Sequence, residues 1–125
     1  MNPHTVLLID SDRDSRDIYS LFLDHSGYRV VATAEMAEGL RAAREENPTV
    51  IVTELFVPTA RGWTILDTLK NDAATAGIPV IALSAHALPD DQERAVLADL
   101  FLAKPCTVES LRQAVERLCE AGMPS

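Results

Sequence analysis

The sequence predicts an α/β fold, a doubly wound parallel sheet, from three observations. Five short aliphatic runs recur along the chain, a longer stretch of helical period follows each, and capping residues, glycine or proline punctuate the joins. The runs are Val6 to Ile9, Arg29 to Thr33, Val50 to Thr53, Pro79 to Leu83 and Leu100 to Ala103. They are β-branched or aliphatic and lack polar alternation, which predicts strands buried on both faces. The first helix has Asp12 or Asp14 available as N-cap, a stripe of Ile18, Leu21, Phe22 and His25 at three- and four-residue spacing, and Gly27 at its end. Thr33 stands before the second helix and Pro48 closes it. The third begins near Trp63, a first-turn aromatic placed to pack the core edge or touch a partner. Pro79 opens the fourth strand. Thr107 precedes the fifth helix, whose core stripe is Leu111, Ala114, Val115 and Leu118.

Joined by right-handed crossovers, five strand–helix units give a flavodoxin-like (βα)5 sheet of strand order 2-1-3-4-5. No linker, low-complexity tract or internal duplication interrupts the pattern, so residues 1–125 read as a single domain. A chain of 125 residues, 47% hydrophobic, folds without a disulfide or metal staple. Its two cysteines, Cys106 and Cys119, match no CxxC spacing and read as ordinary thiols. The longest apolar run, Val6 to Ile9, falls far short of the roughly 20 residues of a membrane span, so no membrane contact is expected. The first residues lack a basic segment followed by a long apolar one, which favours a cytoplasmic protein. A net charge of −8 without a Lys/Arg cluster argues against direct nucleic-acid binding.

In an open α/β sheet the ligand site lies beyond the carboxyl ends of the strands. The residues there are Asp10, Ser11 and Asp12 after the first strand, Glu54 after the third, Ser84 after the fourth, and Lys104 after the fifth. Three carboxylates against one lysine leave a double negative charge that one Mg²⁺ would neutralise. A lysine and a hydroxyl beside such a site suit the oxygens of a phosphoryl group. The plainer alternative is that the loop acids sit in water at helix N-termini, complementing the macrodipole.

Four stretches carry a likeness to a known family. They are Leu7 to Asp12, then Pro48 to Gly62 with Glu54, Pro58 and Gly62 at fixed offsets, and Ile78 to Ala85 with Phe101 to Pro105. Over about Val6 to Leu118 the chain resembles the receiver domain of bacterial two-component response regulators. The resemblance implies a phosphoacceptor position at Glu54 and an acidic pocket at Asp10, Ser11 and Asp12. It implies a Ser84 and Phe101 switch, Lys104 as phosphate contact before a cis proline bond, and metal ligands from Asp10, Glu54 and Phe56. The implied partners are a histidine kinase, a phosphotransfer protein or an output domain. A homodimer through the fourth helix, fifth strand and fifth helix, including Ala95, Leu97, Cys106 and Leu111, is a further implication.

Two departures fall where the chemistry would occur. The family's acceptor is an aspartate, and Glu54 is one methylene longer, which moves the carboxylate by about 1.5 Å. Phosphoryl transfer rests on positioning, and a displacement of about 1 Å can cost about a hundredfold in rate. Ser11 replaces the second acid of the metal-binding pair, so Mg²⁺ is expected to bind weakly or not at all. Asp12 would reach a metal only if the turn shifted. These departures predict a pseudo-receiver acting by protein–protein interaction without enzymatic turnover. The permanent charge of Glu54 could hold a switched state, or pair with Lys104 and hold the inactive one. A conventional Mg²⁺-dependent phosphoacceptor receiver is the alternative. His86 reads as a loop residue beside the pocket. Asp10-Ser11-Asp12 also resembles the nucleophile motif of haloacid dehalogenase-like phosphohydrolases, but the later acidic pair of those enzymes is missing. A flavin-binding version of the fold lacks its phosphate loop.

Overall fold

The first aliphatic run forms β1 (Thr5–Ile9), every residue of it buried. In the computed structural model, residues 4–54, 64–84 and 98–122 are described. β1 is followed by α1 (Arg13–His25), β2 (Arg29–Thr33), α2 (Met36–Glu45), β3 (Val50–Glu54), α3 (Thr64–Asn71), β4 (Val80–Ser84), β5 (Leu100–Ala103) and α4 (Val108–Gly122). The strands pair in parallel in the order β2-β1-β3-β4-β5, the flavodoxin-like arrangement the alternation predicts. The helix expected between β4 and β5, with His86, Ala95 and Leu97, lies outside the described residues. So does the segment carrying Phe56, Pro58, Gly62 and Trp63.

Side-chain alternation splits the core into two layers. Val6, Leu8, Val50, Val52, Ile81 and Leu83 face α1 and α4, where Tyr19, Leu23, Leu111 and Val115 meet them. Leu7, Ile9, Ile51, Val80 and Ala82 face α2 and α3, where Ala43, Ile65, Leu66 and Leu69 meet them. The expected stripe of the last helix is thus the one that packs, with Cys119 added to it. Burial pushes the Cys119 thiol up to about 11, with the Glu120 charge adding to the effect. Leu111 is core, not a surface contact.

Three expectations are corrected. The stripe assigned to α1 is rotated: Ile18 and Leu21 are 56% and 62% exposed, His25 is exposed, and Tyr19 and Leu23 carry the burial. With Asp12 as N-cap, helical phase puts residues 19 and 23 over the sheet, while Ile18 and Leu21 turn to solvent. Only β1, β3 and β4 are buried on both faces; β2 and β5, at the sheet edges, are half-exposed. Thr33 does not cap α2. It ends β2, and Glu35 takes the N-cap position without a side-chain hydrogen bond.

The helix ends otherwise follow the sequence. The Asp12 carboxylate accepts from the Ser15 N–H at 3.0 Å and caps α1. Gly27, at φ 98°, ends that helix, with Tyr28 N–H on the Leu23 carbonyl and Gly27 N–H on that of Asp24. Asn47 takes a left-handed conformation (φ 47°) after α2, ahead of Pro48. Thr107 Oγ1 accepts from the Ser110 N–H at 3.0 Å and starts α4. Gly39 lets α2 approach β1 closely, since a Cβ there would stand 2.5 Å from Ile9 Cδ1.

Candidate functional site

The carboxyl ends of β1 and β3 are neighbours in the sheet, and the strand order reverses beside them. Asp10, directly after β1, is fully buried, and its N–H is fixed by the Thr33 carbonyl at 3.0 Å. Its carboxylate is divided between two donors: Oδ1 accepts from the Asp12 N–H at 2.9 Å and Oδ2 from Lys104 Nζ at 3.0 Å. Lys104 is only 16% exposed. Its main chain is held by the bond from its N–H to the Ser84 carbonyl at 2.7 Å, and its peptide bond to Pro105 is cis, as the resemblance implied.

Glu54 ends β3, and the Thr53 hydroxyl bonds to its carbonyl at 2.8 Å. Its longer side chain spans to the neighbouring strand end, where Oε1 accepts from the Ser11 N–H at 2.8 Å. Oε2 lies 3.9 Å from Lys104 Nζ. The nearer partner of Lys104 is therefore Asp10, and the expected Glu54–Lys104 pairing is the looser of two contacts. Asp12 is exposed and turned to its capping role. The bond from Ser15 holds its carboxyl below the usual carboxylate value, with smaller contributions from the charges of Lys104 and Arg16.

The structure thus brings together Asp10, Ser11, Glu54 and Lys104, with Asp12 at the margin. Ser84 is buried at the end of β4, and Phe101 is half-buried on β5 against the α3-side layer. Phe56 lies outside the described residues. Among the described residues, no group of three or more His, Cys, Asp or Glu is arranged to hold a metal.

Two contributions escaped sequence reasoning. Arg16 donates to the Asp10 carbonyl at 3.0 Å, so a second cation stands at the acidic turn. Its signal was available, since a residue one helical turn past the N-cap returns to the strand end. Tyr19 donates from its hydroxyl to the Cys106 carbonyl at 3.3 Å, tying α1 to the loop after Lys104. Burial and the contact with Cys106 raise that phenol above its ordinary value. No local pattern announces a bond between residues 87 positions apart.

Among the described residues, no helix is long and apolar enough to cross a membrane. Comparison with known proteins places the chain among signalling proteins of this fold. The chain is 27% identical to the polar-differentiation response regulator DivK of Brucella anthropi over 116 residues, 91% of this chain and 94% of that one. It is 32% identical over 115 residues to the DNA-binding dual master transcriptional regulator RpaA of Synechocystis, covering 90% of this chain but 48% of that protein, about half its length. Among solved structures, a receiver domain protein of Methanospirillum hungatei superposes with a TM-score of 0.86 at 20% identity, covering 97% of each chain. The chemotaxis protein CheY4 of Vibrio cholerae superposes with a TM-score of 0.82 at 23% identity, covering 92% of this chain and 98% of that one. Receiver domains typically bind Mg²⁺ at the acceptor site, interact with histidine kinases and output domains, and are generally signalling modules and not enzymes. Residues 6–116 match the family of response regulator receiver domains, so the chain belongs to that family of two-component signalling proteins.

Proposed function

We propose that this chain is a single receiver-like domain over residues 1–125, acting in two-component signalling by protein–protein contact and independently of phosphorylation. The observation that carries this reading is Glu54 in the acceptor position, its carboxylate seated on the Ser11 N–H at 2.8 Å. Phosphoryl transfer depends on an acceptor oxygen placed in line with the donor, and a carboxylate drawn onto the neighbouring turn is displaced from that position. Here Oε1 is bound to the neighbouring turn and Oε2 faces the lysine.

The donor set also suits Mg²⁺ poorly. That ion demands near-octahedral oxygen ligands at about 2.0–2.1 Å. Three of the four carboxylate oxygens of Asp10 and Glu54 accept hydrogen bonds within the chain, and the fourth lies 3.9 Å from the Lys104 ammonium. Ser11 offers a neutral hydroxyl where the family pattern has an acid, and Asp12 is committed to its helix. We assign Glu54 as the acceptor equivalent, Asp10, Ser11 and Asp12 as the pocket, Lys104 as its cation, and Ser84 and Phe101 as the switch pair. The partners of this reading are a histidine kinase, a phosphotransfer protein or an output domain in the cytoplasm, and a second copy on the β5–α4 side.

Intact mass after incubation with Mg²⁺ and a small phosphoryl donor tests it, beside a Ser11→Asp/Glu54→Asp variant as the competent control. An adduct on the control alone is expected. An adduct on the native protein that vanishes in Glu54→Gln overturns the reading and returns the domain to conventional phosphotransfer.

A further inference from the structure

The strongest feature outside the acidic rim is at the opposite edge of the sheet from β5. β2 is the outermost strand on that side. Arg29 donates from its N–H to the His4 carbonyl at 3.1 Å, and the Thr33 carbonyl accepts from Asp10 at 3.0 Å. These bonds turn the main-chain groups of Arg29 and Thr33 toward β1. Main-chain direction alternates along a strand, so the N–H and C=O of Val30 and Ala32 point away from the sheet.

Above the same two residues runs an open groove of about 510 Å³ between β2 and α1, lined by Asp17, Ser20, Leu21, Asp24, Val30 and Ala32. Asp17, Leu21 and Asp24 lie at helical spacings of four and three, so they form one stripe of carboxylate, apolar and carboxylate along α1. Leu21, 62% exposed, sits between the two acids. Asp17 meets Arg13 only through an exposed pair at 3.7 Å, which yields readily to a competing cation.

We propose that this edge is a docking site for an extended segment of a partner protein that joins the sheet beside β2. The segment carries a basic, an apolar and a basic side chain at alternate positions. Main-chain bonds to Val30 and Ala32 set its direction, while the alternate side chains that face α1 read the stripe. The dimensions match. Seven residues of helix separate Asp17 from Asp24 by about 10.5 Å, and four residues of strand span about 13 Å. Charge argues against a second copy of this chain as the occupant. Pairing two β2 edges would bring the carboxylates of two α1 stripes together, in a chain already at −8. The proposal does not depend on the state of Glu54.

The test uses the full chain, labelled with ¹⁵N, and a short synthetic peptide of the pattern lysine–threonine–leucine–threonine–lysine. Its counterparts have glutamate for lysine, or N-methylated main-chain amides. The lysine peptide is expected to shift the amides of Val30 and Ala32 and to bind at least about tenfold more tightly than either counterpart. Leu21→Glu, a change at an exposed position, should abolish the shifts. Asp17→Asn/Asp24→Asn should remove the preference for lysine over glutamate while leaving the fold intact by circular dichroism. Absence of shifts at millimolar peptide, shifts confined to other elements, or equal binding of all three peptides would overturn the proposal. So would a concentration-dependent dimer, seen by sedimentation, that Leu21→Glu dissociates, since it assigns the edge to a second copy.

Discussion

Lys104→Met isolates the electrostatic core of the acidic rim. Asp10 has no solvent exposure, and the lysine ammonium at 3.0 Å is the only cation bonded to its carboxylate among the described residues, since Arg16 reaches its main-chain carbonyl instead. Removing one member of a buried ion pair strands the other and typically costs about 3–5 kcal/mol. Asp10 keeps the Asp12 N–H on its other oxygen, and Lys104 itself retains 16% exposure, so the low end, about 3 kcal/mol, is expected. With a urea slope of about 2 kcal/mol per molar for a domain of this size, the midpoint should fall by about 1.5 M. Asp10→Asn removes the stranded charge, so the double variant should recover part of the loss. A cycle of urea titrations measures that recovery as a coupling energy. A midpoint shift below about 0.3 M for Lys104→Met, or a coupling below about 0.5 kcal/mol, would refute the pairing as the element that makes the buried acid tolerable.

Gly39→Ala should destabilise by about 1 kcal/mol, because overpacking against Ile9 outweighs the better helix propensity of alanine. Ile9→Val removes the Cδ1 that the new Cβ would strike, so the pair should be more stable than the sum of the single changes in thermal unfolding. Asp12→Ala should lower the melting temperature at pH 7 by a few degrees through loss of the α1 cap. The folded state holds the Asp12 carboxyl below its ordinary 3.8, so the cap's contribution is present above that value and is lost as pH falls through the depressed one. The gap between wild type and Asp12→Ala should therefore close in acid; a gap that widens there would refute the assignment.

Much of the fold was legible because its determinants are local. Short β-branched runs such as Val50 to Val52 favour a buried strand, and Asp12, Gly27 and Thr107 act within a few residues of themselves. The rotation of α1 was not legible, because Ile18, Tyr19, Leu21, Phe22 and Leu23 offer two overlapping apolar stripes. Tertiary contact with β2 and α4, not propensity, decides which one is buried. The meeting of Asp10, Glu54 and Lys104 followed from the rule that strand ends share a rim. Which carboxylate the lysine prefers depends on distances of 3.0 and 3.9 Å, and no sequence spacing encodes a difference of that size. The reach of Glu54 to a main-chain N–H was likewise invisible, since a backbone donor carries no residue signature.

The ammonium beside Asp10 belongs to the same covalent chain as the acid it neutralises. A dissolved ion occupies such a place only in proportion to its concentration, and dilution or a chelator withdraws it. A tethered cation keeps a fixed local concentration whatever the medium holds. For the buried acid of this domain, part of the charge compensation is thus a property of the polypeptide, inherited at folding.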